Sequence, residues 1–457
     1  MQPPVDSLDR ELMLFEYGTC SNPTQGAMLY ERRNLLQTYM SEKQKWLTPS
    51  FDSEQKPCLR ASHYVGLLPF SDVDGSHLLL IAPKGCQLEP KGSHLGLLRF
   101  LELIALVEGG SLPEKPLGFQ GKLGPHQFLL FLAHHYGSLL KELCQRDFRS
   151  YYRPEEDELR SRIRGRLHIA SYARLAVRGK PHILPCRWDE FTVDNWDNRI
   201  LWAAARRLKQ IAGQLAPEAA AWVWRPFKSL LPWFSAVAEV PITVHDLRKS
   251  RLDRTSRYYR HALAWAKLLI RGSDVPTAGG RTPPLVLNSN TAFEKFAAVV
   301  ARDALPDAVW RCGSQKEKLP FLTGKKPQHR EPDILLSNHH GTRAVGDAKY
   351  KDVLERAGSA TLGAVDEESI DRVYIQPSDW NQLYVYMRIS GATRGCFIVP
   401  FWNAEGRSIA WLQDFKFVTP PCDGNVRLAV LGLNLLQPLQ KVKDEAADRL
   451  RGWLLES

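Results

Sequence analysis

The stretch EPDILLSNHHGTRAVGDAKYK, residues 331–351, predicts a β-hairpin that carries the chemistry of the chain. A short apolar run, ILL, follows Pro-Asp, and the polar turn SNHHGT separates it from an alternating run, RAVGDA. Antiparallel pairing brings the start of the first strand next to the end of the second. Asp333 and Asp347 are therefore expected to meet, and Lys349, two residues after Asp347, shares its face.

Two carboxylates and an ammonium at one hairpin end suit a hard divalent cation. Mg²⁺ takes oxygen ligands, keeps several waters and is usually held by one or two carboxylates together with a substrate phosphate. The backbone carbonyl of Ala348 is offered to the same place. Such an ion would polarise a phosphodiester, while Lys349 could orient a water or balance charge. Taken singly, each residue also fits a plainer interpretation, a turn Asp or a solvated Lys.

The flanking segments add residues of the same chemistry. The segment TAFEKFAAVVARDAL has helical apolar spacing and carries Glu294, and SDWNQLYVYMRI places Gln382 and Tyr386 four apart on one helix face. Lys351, one strand step beyond Lys349, could contact a phosphate backbone. A surface charge at Glu294 and a plain surface position at Gln382 are the alternatives.

Pro332-Asp333 followed by Asp347-Ala348-Lys349 resembles the PD-(D/E)xK nuclease superfamily. In that superfamily a helix before the hairpin often supplies a Glu to the metal site, and a helix after it often carries a Gln and a Tyr. The resemblance implies an αβββαβ core. It also implies that Gln382 and Tyr386 belong to the substrate-binding surface.

Composition favours a polyanionic partner. The 457 residues carry a formal net charge of +11, and nucleic acid is the leading candidate. The apolar runs are too short for a membrane span, so no membrane is expected. The eight cysteines form no CxxC pair, which speaks against zinc and disulfide frameworks. MQPPVDSLDRELML shows no secretory signal, so a cytoplasmic location is expected.

The chain is expected to have a mixed α+β fold in three parts. Residues 1–92 predict a mostly β module, residues 93–280 a helical, Arg-rich, stalk-like coupling region, and residues 281–457 the nuclease domain. The linker GSDVPTAGGRTPP precedes the last part. Within the middle part, Asp194 is expected to cap a helix. The arginines and tyrosines of FRSYYRPEEDELRSRIRGRLHIASYARLAVRGK could grip phosphates, or form a linker or a protein-binding face.

Five motifs in order resemble the McrC family, the nuclease subunits of McrBC-type restriction systems, which cut DNA carrying modified cytosine. They are RGRL at 164–167, EFT with Asp194 and NRIL at 190–201, YY at 258–259, FEKF at 293–296, and PD at 332–333 with DAKY at 347–350.

The resemblance implies a partner and a reaction. The partner would be a hexameric McrB-like AAA+ GTPase, which the N-terminal half would engage and stimulate. The reaction would be hydrolysis of double-stranded DNA with one or two Mg²⁺ ions, for which Mn²⁺ could substitute. Asp333, Asp347 and Glu294, with the Ala348 carbonyl, would hold the metal, and Lys349 would position the attacking water.

Two other functions stay open on the sequence alone. The chain has no GxxxxGK[ST] phosphate loop, so nucleotide hydrolysis is expected in another polypeptide. A non-catalytic DNA-binding adaptor of an AAA+ motor is one alternative. A stand-alone repair or defence nuclease is the other.

Overall fold

A computed structural model gives the fold. The residues described are 11–20, 23–40, 45–52, 54–88, 95–107, 124–214, 217–250, 257–271, 284–305, 310–312, 319–322, 328–338, 343–351, 354–355, 372–373, 375–403, 406–415 and 426–455. The chain divides into two compact units. Unit 1 joins Met1–Phe128 with Val275–Ser457, and unit 2 is Leu129–Asp274. The three predicted parts stay a prediction, but residues of the first and third share unit 1.

The first part of unit 1 is a small mixed sheet with short helices. Its elements are β1 (Glu11–Phe15), α1 (Pro23–Glu31), α2 (Arg33–Gln37), β2 (Leu47–Phe51), β3 (Pro57–Ala61), β4 (Tyr64–Asp72), β5 (Gly75–Ala82), α3 (Gly85–Leu88) and α4 (Leu95–Val107). The three strands expected in this region are β1, β4 and β5. Leucines alternating along β1 and β5 pack against Trp46 and the helices to form its core.

A distant strand completes this sheet. The order is β1-β5-β4-β9, where β9 (Leu285–Asn288) lies more than two hundred residues after β4 in the sequence. β4 pairs antiparallel with β9, and Gly66 stands opposite Val286. Gly66 has φ +152°, and a Cβ there would overlap the Leu285 carbonyl oxygen. Only glycine allows this close approach of the two backbones.

The second sheet of unit 1 has six strands in the order β10-β13-β14-β17-β19-β18. The elements of this part are α11 (Ser289–Asp303), β10 (Trp310–Cys312), β11 (Leu319–Leu322), β12 (Gln328–Arg330), β13 (Ile334–Asn338), β14 (Arg343–Ala348), β15 (Leu354–Glu355), β16 (Arg372–Val373), α12 (Pro377–Ser390), β17 (Arg394–Phe401), β18 (Ile409–Phe415), β19 (Arg427–Asn434) and α13 (Leu439–Leu455). β14, β17 and β19 run parallel, and Leu383 and Met387 of α12 pack in one core with Val345 and Phe397 of the sheet.

Unit 2 combines helices with an antiparallel arm. After α5 (Pro125–Asp147), most of which belongs to this unit, come β6 (Tyr151–Arg160), β7 (Arg166–Leu167), α6 (Ile169–Val177), β8 (Ile183–Thr192), α7 (Trp196–Gly213), α8 (Pro217–Trp224), α9 (Leu231–Phe234) and α10 (Arg257–Arg271), with 3-10 turns at Arg225–Leu230 and His245–Lys249. The arm consists of the three-stranded sheet β6-β8-β7 and of α6, which joins β7 to β8.

Two expectations for this region were wrong. The stretch from Tyr151 to Thr192 lies in the part expected to be helical, but it is mainly strand, because β6 and β8 pair along their full lengths. The cap of α7 is Asn195, which accepts the backbone N–H of Asn198. Asp194 instead forms a bidentate pair with Arg199.

His135 of α5 is buried between Phe131 and Trp265, and its ring nitrogens have no hydrogen-bond partner within the described residues. Burial lowers its pKa to about 4, so His135 is a neutral core residue at neutral pH. No helix in the described part of the chain is long and apolar enough to cross a membrane.

Gly66→Ala is expected to lower the free energy of unfolding by more than about 1 kcal/mol, because it combines a positive φ with a backbone overlap. Gly452→Ala is the matched control, since Gly452 lies on α13 with open space around it, and it should stabilise by about 0.5–1 kcal/mol. Thermal unfolding of both variants measures the difference. A Gly66→Ala protein as stable as wild type would contradict the β4–β9 packing.

Candidate active site

The hairpin predicted from the sequence is present as β13 and β14. Ile334 pairs with Gly346 and Leu335 with Val345, which places Asp333 beside the end of β14. One side-chain oxygen of Asp333 accepts the backbone N–H of Ala348 at 2.9 Å. The expected meeting of the strand start and the strand end is therefore confirmed.

An ion pair forms at this hairpin end. The Nζ atom of Lys349 lies 2.8 Å from Oδ2 of Asp347. Asp347 is fully buried, while the Lys349 side chain is partly accessible. The Asp333 and Asp347 carboxyl groups are close enough for each to affect the pKa of the other. We call Asp333, Asp347 and Lys349 together the hairpin-end triad.

Helix α12 covers the triad with polar side chains. It begins with Pro at its first position and ends at Gly391, which adopts the left-handed conformation that closes a helix. Gln382 accepts a hydrogen bond from Lys349 Nζ at 2.9 Å and donates one to the Tyr386 hydroxyl at 2.7 Å. The one-face placement of Gln382 and Tyr386 is thus confirmed, and both connect to Lys349.

Asp379, in the first turn of α12, was not identified from the sequence. Its carboxylate lies 3.8 Å from Lys349 Nζ and 3.3 Å from Lys351 Nζ. The available signal was its position three residues before Gln382, which places both on one helix face. Lys351 is half exposed and marks the accessible side of the site.

Helix α11 brings Glu294 into the electrostatic range of the triad. The Asn288 side chain caps the helix by accepting the Thr291 N–H, which fixes where α11 begins. Burial raises the pKa of Glu294, and the charge of Asp333 raises it further. Glu294 is half-buried, so it is not a plain surface charge.

The site concentrates buried negative charge. Burial raises the pKa of Asp333 and of Asp347, and for Asp347 the neighbouring Asp333 charge adds to the rise. Burial alone would lower the pKa of Lys349, but the Asp347 and Asp379 carboxylates outweigh it and the net shift is upward. Lys349 is therefore held as an ammonium, and its single positive charge cannot neutralise both Asp333 and Asp347.

The donor set fits a hard cation with few protein ligands. Oδ2 of Asp347 is buried and, apart from the ion pair, receives no hydrogen bond from the described residues. Among those residues, no three His, Cys, Asp or Glu side chains form a metal-holding group. Two buried carboxylates, neutralised within the described residues mainly by one ammonium, suit an ion such as Mg²⁺, which completes its shell with water and phosphate. The roles of Glu294 and of the Ala348 carbonyl as ligands stay predictions.

Comparisons with known proteins give a family. The family model described as "McrBC 5-methylcytosine restriction system component" matches residues 59–400, three quarters of the chain. A search of curated proteins finds no match.

One solved structure shares the fold of this chain, and a second aligns more weakly. A chain of the refined half-complex from a tetradecameric assembly of Thermococcus gammatolerans McrB AAA+ hexamers with bound McrC aligns with TM-score 0.54 and 18% identity, covering 97% of this chain and 99% of that one. A chain of the Thermococcus gammatolerans McrBC complex aligns with TM-score 0.38 and 17% identity, over 65% of this chain and 88% of that one. Only the first alignment supports a shared fold.

Asp347→Asn is expected to raise the thermal stability of the metal-free protein at pH 8. The folded-state pKa of Asp347 is raised, so wild-type stability falls as pH rises from the ordinary value of 3.8 through the raised one, and the amide removes this loss. The gain should be about 1 kcal/mol or more. Asp448→Asn, at an exposed carboxylate on α13, is the control and should change stability little. If Asp347→Asn is less stable than wild type, the loss of the ion pair with Lys349 outweighs the gain from removing a buried charge.

Proposed function

The chain belongs to the family of McrBC 5-methylcytosine restriction system components, and we propose that it is a subunit of the McrC type and an Mg²⁺-dependent endodeoxyribonuclease of the PD-(D/E)xK type. The Asp347–Lys349 ion pair with Asp333 beside it carries this proposal. The order α11, β10, β13, β14, α12, β17, with the four strands adjacent in one sheet, supports the αβββαβ assignment.

In this proposal each residue of the hairpin-end triad has one task. Asp333 and Asp347 would hold Mg²⁺ or Mn²⁺, with Glu294 and the Ala348 carbonyl assisting. The bound ion polarises the phosphodiester and lowers the pKa of a coordinated water. Lys349 orients the attacking water and balances the charge that builds on the phosphate, because its ammonium is held between Asp347 and Gln382.

The substrate would approach from the side of Lys351. Its ammonium is half exposed and anchored by Asp379, so it can contact a DNA phosphate without being buried. Gln382 is half-buried and could contact DNA directly. Tyr386 is buried, so it contributes to substrate binding by holding the Gln382 amide through their hydrogen bond.

Asp347→Ala is expected to reduce plasmid cleavage by a factor of at least about 100, because it removes the most buried carboxylate of the triad. The assay contains Mg²⁺, GTP and an McrB-like AAA+ GTPase as the proposed partner, and each component is omitted in turn. Asp448→Ala, at an exposed carboxylate, is the control and should cut like wild type.

The same assay separates the competing functions. Cleavage by wild type without partner or GTP would indicate a stand-alone nuclease. DNA binding without cleavage under every condition would indicate an adaptor. Loss of the complex with the partner in Asp347→Ala, seen by size-exclusion chromatography, would assign Asp347 a structural role.

The arm of unit 2 is the surface we propose for the AAA+ partner. Helix α6 has no buried residue, and Ile169 and Val177 on it are 74% and 90% exposed. Exposed Tyr152 and Phe191 pack on each other across β6 and β8 with ring centroids 5.0 Å apart. Large apolar side chains left on a basic surface mark a site of protein association. This surface lies in the N-terminal half, where the coupling role was expected.

Ile169→Asp combined with Val177→Asp is expected to abolish stimulation of the partner's GTP hydrolysis. Both side chains are exposed, so the apparent melting temperature should stay within about 2 °C of wild type. Phe51→Asp in unit 1, at a side chain that is 68% exposed, is the matched control and should stimulate normally. If wild type, the double variant and Phe51→Asp stimulate GTP hydrolysis equally, the arm is not part of the interface with the partner.

A further inference from the structure

Glu16 is a buried carboxylate that no step of the proposed reaction uses. It follows β1 and is almost fully inaccessible. Its oxygens accept hydrogen bonds from the Ser289 hydroxyl, from the Lys84 backbone N–H at 3.3 Å and from the Tyr350 hydroxyl at 3.1 Å. A buried carboxylate requires such donors, because leaving one unsatisfied is costly.

The three donors come from three separate segments of unit 1. Lys84 follows β5, and Ser289 is the first residue of α11, the helix that carries Glu294. Tyr350 directly follows Lys349 of the hairpin-end triad. The Glu16 side chain therefore contacts both the start of α11, the helix that carries Glu294, and the residue that directly follows Lys349.

The Tyr350 ring is enclosed on several sides. Its centroid lies 5.4 Å from that of Phe293, 5.9 Å from that of Trp402 and 6.5 Å from that of Tyr17. The Lys84 ammonium lies over the Trp402 ring. These ring contacts and the hydrogen bond to Glu16 restrict where the Tyr350 side chain can lie. They therefore also restrict the backbone that directly follows β14.

Lys349 depends on this backbone. Its N–H donates to the Ile398 carbonyl of β17 at 3.0 Å, one residue before Tyr350. From this backbone position the Lys349 ammonium reaches both Asp347 and Gln382. Reactions of this kind lose rate steeply when a reacting group moves by about 1 Å.

We propose that Glu16 and Tyr350 are positioning residues that hold Lys349 in register with Asp347, so that the N-terminal sheet is part of the architecture of the active site. The inference rests on the proposed nuclease function. Neither residue touches substrate or metal in this scheme. Their hydrogen bond acts on the hairpin-end triad through the backbone of residue 350, whereas α12 acts on it through the Gln382 and Asp379 side chains.

The protonation of the pair agrees with this role. Burial raises the pKa of Tyr350 well above its usual range, so its hydroxyl keeps its proton and donates. Burial also raises the pKa of Glu16 to about 7, against the opposing effect of its three donors.

Tyr350→Phe against Tyr17→Phe tests the proposal with a matched control. Each change deletes one hydroxyl from the same aromatic cluster, but the Tyr17 hydroxyl donates to Asn290 at 2.8 Å and not to Glu16. With the partner, GTP and Mg²⁺, Tyr350→Phe should lower kcat by roughly tenfold to a hundredfold with unchanged KM for DNA. Tyr17→Phe should cut like wild type. Equal kcat values for the two variants would overturn the proposal.

Glu16 variants separate positioning from simple packing. Glu16→Gln keeps an oxygen that accepts the Tyr350 hydroxyl and should retain most of the kcat, whereas Glu16→Ala should behave like Tyr350→Phe. If Glu16→Ala cuts like wild type while the protein stays folded, Glu16 has no positioning role.

Hydrogen exchange gives a readout that needs no catalysis. In Tyr350→Phe the amides of residues 344–350, including that of Lys349, should exchange at least about tenfold faster than in Tyr17→Phe, because the end of β14 is released. Identical exchange in the two variants would overturn the inference. Should wild type leave DNA uncut under every condition, the proposed function fails, and the exchange comparison still decides whether Tyr350 holds the hairpin end.

Discussion

Burial of charge at one hairpin end is the constraint on which the rest of the structure depends. Asp333 and Asp347 lie together where water is largely excluded, and one ammonium, that of Lys349, stands against them. Such a group is tolerated only if its neighbours hold it rigidly and satisfy its remaining polar atoms. Gln382 and Asp379 of α12 do so from one side, which explains why this helix is polar where it crosses the hairpin and apolar beyond it.

The same constraint explains why the ends of the chain fold together. The segment after β14 is held from two sides: Lys349 bonds to Ile398 of the six-stranded sheet, and Tyr350 bonds to Glu16 next to the N-terminal sheet. β9 links the N-terminal sheet to α11. It hydrogen-bonds to β4 on one side, and the chain continues from it directly into α11. Residues 1–128 are therefore part of the unit that contains the candidate active site, and not a separate accessory module.

The sequence was sufficient where a residue acts within one element or one hairpin. Alternation and the Pro-Asp and Asp-Ala-Lys spacing located Asp333, Asp347 and Lys349, and helical spacing located Gln382 and Tyr386. It was insufficient where a contact joins distant segments: nothing local distinguishes Glu16 from a surface acid. The arm of unit 2 was misjudged because few side chains of β6 and β8 are buried, so the apolar alternation typical of a half-buried strand is weak there.

The pairing of β4 with β9 has a consequence for the order of events during synthesis. Two of the three donors of Glu16 lie 273 and 334 residues further along the chain. At translation rates of about 5–20 residues per second, these separations correspond to roughly 14–67 seconds during which Glu16 has no donor from α11 or the hairpin, and β4 likewise has an open edge until β9 is made. The nascent N-terminal sheet must therefore persist incomplete on the ribosome, and a competent hairpin end cannot form until most of the polypeptide has emerged.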